Sequence, residues 1–380
     1  MIIGFDGKRA VFNNTGLGNY ARLLVEVLAK EYPDNNYRLY TPGLRSNSRL
    51  KRLLKLPNVD LVTPRSVFWR SFGSLWRSHG VTSDLAEDGV TLFHGLSGDI
   101  PDNLRGAHIP SVVTIHDAVF RRFPEDFSYL DRTVYDRACR YAAQHADRII
   151  AISECTARDI VNYYGVSRER IDVIYQECHE QFHTRPSDEV IASTKVKYGL
   201  KRPYIISVGT IEPRKNQMMA VRGLAGLSDE VDLVLVGRRT PYVKLIDRIA
   251  GQYSLTSRVK ILDRADFADL PALYAGAYMS SYTSRYEGFG IPVIESLSVG
   301  TPVIIASGSS LEEAAGPSQQ VVHPDDVEGW IAAIRDITDH PGSRAKLAAQ
   351  GREYVARFSD AAMARQTMAT YQRAIAEARF

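Results

Sequence analysis

The chain has 380 residues, of which 44% are hydrophobic and 24% charged, with a formal net charge of +3. That length allows two ordinary domains with separate cores, and no apolar run reaches the ~18 residues that span a bilayer, so disordered and membrane-spanning classes are set aside. Cys139, Cys155 and Cys178 are odd in number and lack metal-ligand spacing, and the N-terminus opens directly as a strand, so a cytoplasmic protein without disulfides or zinc is expected.

Strand-like and helix-like segments alternate, which predicts parallel sheets flanked by helices. In the first half, strands are expected at 2–5, 37–40, 59–62, 91–94, 111–115, 148–152 and 171–175. Helices are expected there at 19–31, 129–145 and 154–164. Polar, irregular sequence from Gln176 to Pro203, broken by a helical stretch around 190–198, marks a hinge. In the second half, strands at 204–208, 231–236, 259–261, 277–281 and 301–305 alternate with helices starting near 216, 242, 268 and 292. Three further helices, at 327–338, 345–357 and 361–378, close the chain. The fold class is therefore α/β, with two doubly wound Rossmann-like domains over 1–182 and 200–357. Ligands of such domains lie at the carboxyl ends of the strands, here in a central cleft that the two domains would face.

The basic charge is uneven. Nine cations between Arg38 and Arg77 stand against Asp60 alone, interleaved with Phe68, Trp69, Phe72 and Trp76. On one helix, Phe68, Phe72, Leu75 and Trp76 would share a face. Such a segment suits an anionic membrane surface, or equally a helix buried beside a basic loop. Nucleic acid is not expected, because no binding motif accompanies the charge.

The most informative stretch is Glu287-Gly288-Phe289-Gly290-Ile291-Pro292-Val293-Ile294-Glu295. Two acids eight positions apart bracket a glycine turn that opens into a helix, with Pro292 suited to its first position and Gly300 to its end. The N–H groups and positive helix end beyond Gly290 favour phosphate. Glu287 can then point toward a sugar and Glu295 toward a ribose; two solvated acids are the plain alternative. In Ser207-Val208-Gly209-Thr210-Ile211-Glu212-Pro213-Arg214-Lys215-Asn216, a buried strand ends at a Gly-Thr turn and two cations stand at a helix entrance. Arg214 can grip two oxygens and Lys215 acts as a mobile point charge, as a departing diphosphate requires when no metal serves it.

Gly16 and Gly18 follow the first strand but lack the third glycine of a dinucleotide fingerprint, so a dehydrogenase is poorly supported. They would instead let backbone approach a ligand. His116 and Asp117 follow a buried strand at the edge where ligands gather. Ser153 ends another strand, either as a ligand or as a helix cap. The chain contains no D-x-D, G-x-S-x-G or Walker loop, which disfavours a metal-dependent transferase, a serine hydrolase and a nucleoside triphosphatase.

In their order along the chain these motifs resemble the retaining glycosyltransferases of family 4, which have the two-domain GT-B fold. The resemblance implies a nucleotide-sugar site in the second domain, an acceptor site in the first, and a 361–380 segment that packs back on the first. It places Arg214 and Lys215 at the diphosphate, Glu295 at the ribose, and Glu287 at sugar hydroxyls. Gly209, Thr210 and the backbone of Gly288, Phe289, Gly290 and Ile291 would line the donor. Gly16 and Gly18 would lie near it, and the base beside Gly237, Arg238 and Arg264. His116 would meet the transferred sugar, with Asp117 and Ser153 on the acceptor side; His116, Arg214, Lys215 and Glu287 form the implied catalytic set.

The implied reaction is hexosyl transfer with retention. No carboxylate nucleophile stands at a matched position, so a same-face route is expected, the leaving diphosphate taking the acceptor's proton. The Gly-Thr-Ile-Glu-Pro-Arg-Lys-Asn form is most similar to bacterial polysaccharide mannosyltransferases. That implies GDP-mannose as donor, a glycan or polyprenyl-diphosphate-linked acceptor, no metal or other cofactor, and a peripheral place on the inner membrane face. A UDP-sugar donor and a non-catalytic nucleotide-sugar-binding protein are the alternatives. Epimerases and inverting transferases of this fold lack the Glu287/Glu295 pair.

Overall fold

The computed structural model describes residues 1–13, 15–45, 48–340 and 342–378. They form two compact units, one of Met1–Gln176 together with the segment from Ser359, the other of Glu177–Phe358.

Among the described residues the first unit holds seven parallel strands. They are β1 (Ile2–Asp6), β2 (Asn36–Tyr40), β3 (Val59–Val62), β4 (Leu92–Gly95), β5 (Ser111–Ile115), β6 (Arg148–Ala151) and β7 (Ile171–Val173). Their order is β3-β2-β1-β4-β5-β6-β7, so the direction of winding reverses between β1 and β4. β4, β5 and β6 are buried at every position, as strands covered on both faces must be. One face carries the Gly16–Glu31 helix and Met363, Met368 and Tyr371 of the last helix, Asp360–Glu377. The other carries Trp76, Leu85 and the helices Tyr129–His145 and Glu154–Tyr164. Arg148 ties the last helix down by bonding both Asp172 and Glu377. Residues 379–380 of the expected 361–380 segment lie outside the described residues.

The second unit repeats the plan among its described residues, with β8 (Tyr204–Val208), β9 (Asp232–Val236), β10 (Val259–Leu262), β11 (Met279–Tyr282), β12 (Val303–Ala306) and β13 (Gln320–Val322). The order β10-β9-β8-β11-β12-β13 puts its reversal between β8 and β11. Crevices at such switch points are where doubly wound sheets take ligands.

The sequence pattern overlooks the three-residue edge strand β13 and the short helices Val81–Glu87 and Leu311–Ala315, which are too brief to show periodicity. The boundary between the units falls at Gln176, where the expected hinge begins. The stretch from Glu177 belongs to the second unit, because Phe182 is fully buried against Tyr274 and the Asp188–Lys197 helix packs on Leu270–Ala275. The aromatic segment is also not one helix. It breaks at Phe72 (φ −119°, ψ 50°) into Val67–Ser71, Gly73–Leu75 and the π-turn Trp76–Gly80. The shared face is thereby split: Trp76 is 0% exposed and donates to Asp84, whereas Phe68 remains 56% exposed. Among the described residues no helix is long and apolar enough to cross a membrane.

Candidate functional site

The chain leaves β8 at Gly209 and β11 at Thr283, both beside the switch point of the second sheet. Here two loops tie reciprocally. Asn216 Nδ2 donates to the Thr283 carbonyl at 3.2 Å, and Thr283 Oγ1 donates to the Asn216 carbonyl at 2.8 Å. The Arg285 N–H adds a bond to the Arg214 carbonyl at 2.9 Å. Asn216 adopts a left-handed conformation, φ 52°, which its short polar side chain permits and its buried bonds hold in place. The consequence is that Arg214 and Lys215 are delivered to the start of the 287–295 stretch.

Glu287 sits between them. Lys215 Nζ donates to its Oε1, Arg214 Nη1 reaches Oε2 at 3.2 Å, and the Ser284 hydroxyl donates at 2.6 Å. Arg214 also bonds the Tyr286 carbonyl and Glu212, each at 2.7 Å. Burial alone would push the Glu287 carboxyl up, but the charges of Lys215 and Arg214 outweigh it and hold the group below its ordinary range. Two cations and two carboxylates thus face each other in a mostly desolvated spot.

Gly290 opens the Ile291–Ser298 helix, so Pro292 occupies its second position rather than its first. The Ser310 hydroxyl meets the Glu287 and Phe289 carbonyls at 2.7 and 2.8 Å, fixing the turn between them. The Phe289 ring is core, edge-on to Phe358; Gly288 and Gly290 lie on either side of it in the same turn. Glu295 lies one turn into the helix and is 8% exposed. Its Oε2 is 3.0 Å from the Tyr274 hydroxyl, and burial drives its carboxyl up to about 7.

Gly209 and Thr210 border this cluster; Lys215 Cε lies 3.9 Å from where a Gly209 Cβ would stand. Gly237 follows β9, and a Cβ there would come within 1.9 Å of the Gly209 carbonyl oxygen. Its glycine is therefore required by strand-end packing, whatever else it contacts. Arg238 and Arg264 follow β9 and β10 with exposed side chains, outside the Glu287 hydrogen-bond network.

In the first unit, His116 follows β5 and bonds the Leu96 carbonyl through Nε2 at 2.9 Å. A carbonyl only accepts, so Nε2 carries the hydrogen and Nδ1 keeps its lone pair. Burial, aided by Arg9, lowers this imidazole to about 4, and it stays neutral. Tyr20 packs against the ring at 4.6 Å in a T-shaped arrangement while its hydroxyl bonds Thr114. Asp117 accepts from the Val119 N–H, and Ser153, fully buried, caps the Glu154–Tyr164 helix through the Thr156 N–H. The capping reading of Ser153 is the one the structure gives.

The helix expected at 19–31 begins earlier, at Gly16. Gly16 and Gly18 lie in the first turn of the Gly16–Glu31 helix, Gly16 with open space around it. At Gly18 a Cβ would fall 1.9 Å from the Asn13 carbonyl oxygen, so its glycine serves the packing of that helix against Lys8–Phe12.

Two family models match the chain in succession: Glycosyltransferase Family 4 over residues 14–176 and Glycosyl transferases group 1 over residues 191–354. The chain belongs to the glycosyltransferases. It is 27% identical over 246 residues to the O-antigen chain mannosyltransferase RfbU of Salmonella typhimurium, a match covering 65% of each chain and so just under two-thirds of that relative's length. It is 28% identical over 294 residues to O-antigen chain mannosyltransferase B of Escherichia coli, covering 74% of each. The fold is that of GT-B enzymes. A crystal structure of Anabaena HepE in complex with UDP and glucose superposes with a TM-score of 0.73 at 21% identity, covering 98% of this chain and 99% of that one.

Several residues that build this glycosyltransferase's second-unit cluster escape sequence reading. Ser284, Thr283 and Ser310 are small polar residues whose only signal is their place just after β11 and β12. Tyr274 and Tyr282 look like ordinary core aromatics. Asn216 stands inside the Arg-Lys-Asn string, and its left-handed turn between two helical segments is the clue that string alone does not yield.

Proposed function

We propose that this glycosyltransferase is a retaining, metal-independent hexosyltransferase that moves mannose from GDP-mannose to a glycan or polyprenyl-diphosphate-linked acceptor in surface polysaccharide synthesis. The observation that carries the reading is Glu287 held between Lys215 and Arg214 at the β8/β11 switch point. In this reading a diphosphate draws Lys215 and Arg214 onto its oxygens and Glu287 turns to sugar hydroxyls, so one ion-paired cluster is exchanged for another. Gly209, Thr210 and the turn at Gly288, Phe289, Gly290 and Ile291 frame the donor, Glu295 receives the ribose, and the base lies toward Gly237, Arg238 and Arg264. His116, neutral with Nδ1 as acceptor, takes a sugar hydroxyl, Gly16 and Gly18 lie near the donor, and Asp117 and Ser153 serve the acceptor side.

The O-antigen relatives support mannose. HepE, whose structure holds UDP and glucose, keeps a UDP-sugar as the second reading. Val67, Phe68, Phe72 and Leu75 are exposed beside Arg70, which supports peripheral docking on an anionic inner-membrane surface.

The test is a hydrolysis and transfer screen over GDP- and UDP-hexoses, with the product's anomeric configuration read by NMR. GDP-mannose turnover with retention and without divalent ions is expected. Inversion would end the retaining assignment, strict magnesium or manganese dependence the metal-free one, and preference for a UDP-hexose would move the chain to the second reading. Binding without turnover of any donor would mark a non-catalytic protein.

A further inference from the structure

Three oxygen–oxygen contacts of 3.0 Å form a line in the second unit: Glu295 Oε2 to the Tyr274 hydroxyl, that hydroxyl to Tyr282, and Tyr282 to the Pro292 carbonyl. The carbonyl can only accept, so Tyr282 donates to it. The hydrogen of Tyr282 is then committed, and Tyr274 must donate to Tyr282. The remaining contact needs a third hydrogen, and only the carboxyl group can supply it. An ionised Glu295 would leave lone pairs facing each other across one of these contacts, in a place where Tyr274 is fully buried and Tyr282 nearly so.

We propose that Glu295 holds a proton in the free protein, donates it into the Tyr274–Tyr282 line, and releases it to solvent when the ribose hydroxyls of a nucleotide donate to the carboxylate. Tyr274 and Tyr282 are then positioning residues that hold this acid neutral until a nucleotide arrives. The binding half of the proposal rests on the nucleotide-sugar reading of the site; the protonation half does not.

The surroundings agree. Tyr274 faces Glu295 from the Leu270–Ala275 helix, Tyr282 lies next in line from β11, and the Cys178 thiol comes from the segment after Gln176. That thiol is pushed up to about 12 by burial first, so it brings no charge of its own. Glu177 is paired with His183. Arg352 of the Ser343–Val355 helix lies against Gly300, past the far end of the Ile291–Ser298 helix. Glu312, on the Leu311–Ala315 helix, accepts from the Gly308 N–H. No cation among these groups stands in position to hold Glu295 ionised.

The test is carbon-13 NMR of the full chain labelled at glutamate carboxyl carbons, with Glu295→Gln identifying the resonance. A midpoint near neutrality, about 7, is expected. A midpoint in the ordinary carboxylate range, about 4–5, would overturn the proposal. Tyr282→Phe sharpens it. Without its hydroxyl the Tyr274 hydrogen is free to turn to Glu295, so the midpoint falls; if burial alone set the acid, the midpoint would stay or rise. UDP and GDP are then titrated calorimetrically near pH 6 in two buffers of different ionisation heat. Release approaching about one proton per nucleotide supports the linkage, and equal heats in both buffers overturn it. If neither nucleotide binds, the nucleotide reading of the site fails, while the NMR midpoint still decides the protonation.

Discussion

Glu287 and Glu295 stand at the two ends of one loop–helix junction, yet their surroundings could hardly differ more. Glu287 is buried among cations, with Lys215 and Arg214 on either oxygen, and is held ionised. Glu295 is buried beside phenols, forms no salt bridge among the described residues, and is pushed toward neutrality. The difference teaches that burial does not decide a carboxyl's charge by itself. The partners brought by the loop after β8 do so at one end, and those brought by β11 and the Leu270–Ala275 helix at the other.

The largest effect is expected from removing the ionised member. Glu287→Ala takes the carboxylate from Lys215 and leaves Arg214 to Glu212 and the Tyr286 carbonyl, and should cost on the order of 3 kcal/mol in urea unfolding, along with donor turnover. Lys215→Ala leaves Arg214 still balanced by Glu287 and Glu212, so stability should fall by about 1 kcal/mol or less while turnover is lost. Equal stability losses in the two variants would break the proposed asymmetry.

The pH profile separates the two glutamates by sign. Glu287, lowered from 4.5, contributes stability that is present above that value and lost as pH falls below it. Glu295, raised from 4.5 to about 7, contributes stability that is complete below 4.5 and lost as pH rises toward 7. Glu295→Gln should remove that second slope, on the order of 2–3 kcal/mol between the limits, as read from unfolding at a series of pH values. A wild-type profile flat through this window would show that the two groups do not differ as described.

Gly237→Ala probes the strand-end packing against Gly209, beside the ionised end. Its Cβ would strike the Gly209 oxygen at φ +152°, so a cost of about 2 kcal/mol is expected, with the Glu295 midpoint unmoved. The smallest effect should follow Phe68→Ser with Phe72→Ser in the first unit. These exposed rings should leave unfolding within about 0.5 kcal/mol of wild type while liposome binding falls. Undiminished liposome binding would remove the membrane role.

The strands and long helices are legible in the chain because their apolar periods are complete, as in 111–115 or 129–145. The ion-paired half of the site is legible too, since glycine, proline and paired charges at β-to-α turns carry their chemistry in residue type. The phenolic half is not. Tyr274 and Tyr282 sit at ordinary core positions, and only their three-dimensional meeting with Glu295 gives them a polar task. The 67–80 segment misled for a related reason: helical spacing holds only if the helix continues, and the backbone turn at Phe72 sends Trp76 inward and leaves Phe68 out.

His94, fully buried in β4, bonds Tyr371 through Nδ1 at 2.7 Å and Thr114 through Nε2 at 2.8 Å. Two of these three residues emerge early in synthesis, whereas Tyr371 belongs to the last helix, 277 positions after His94. On the ribosome, therefore, Nδ1 of this imidazole must wait for its Tyr371 partner until the second unit has been made.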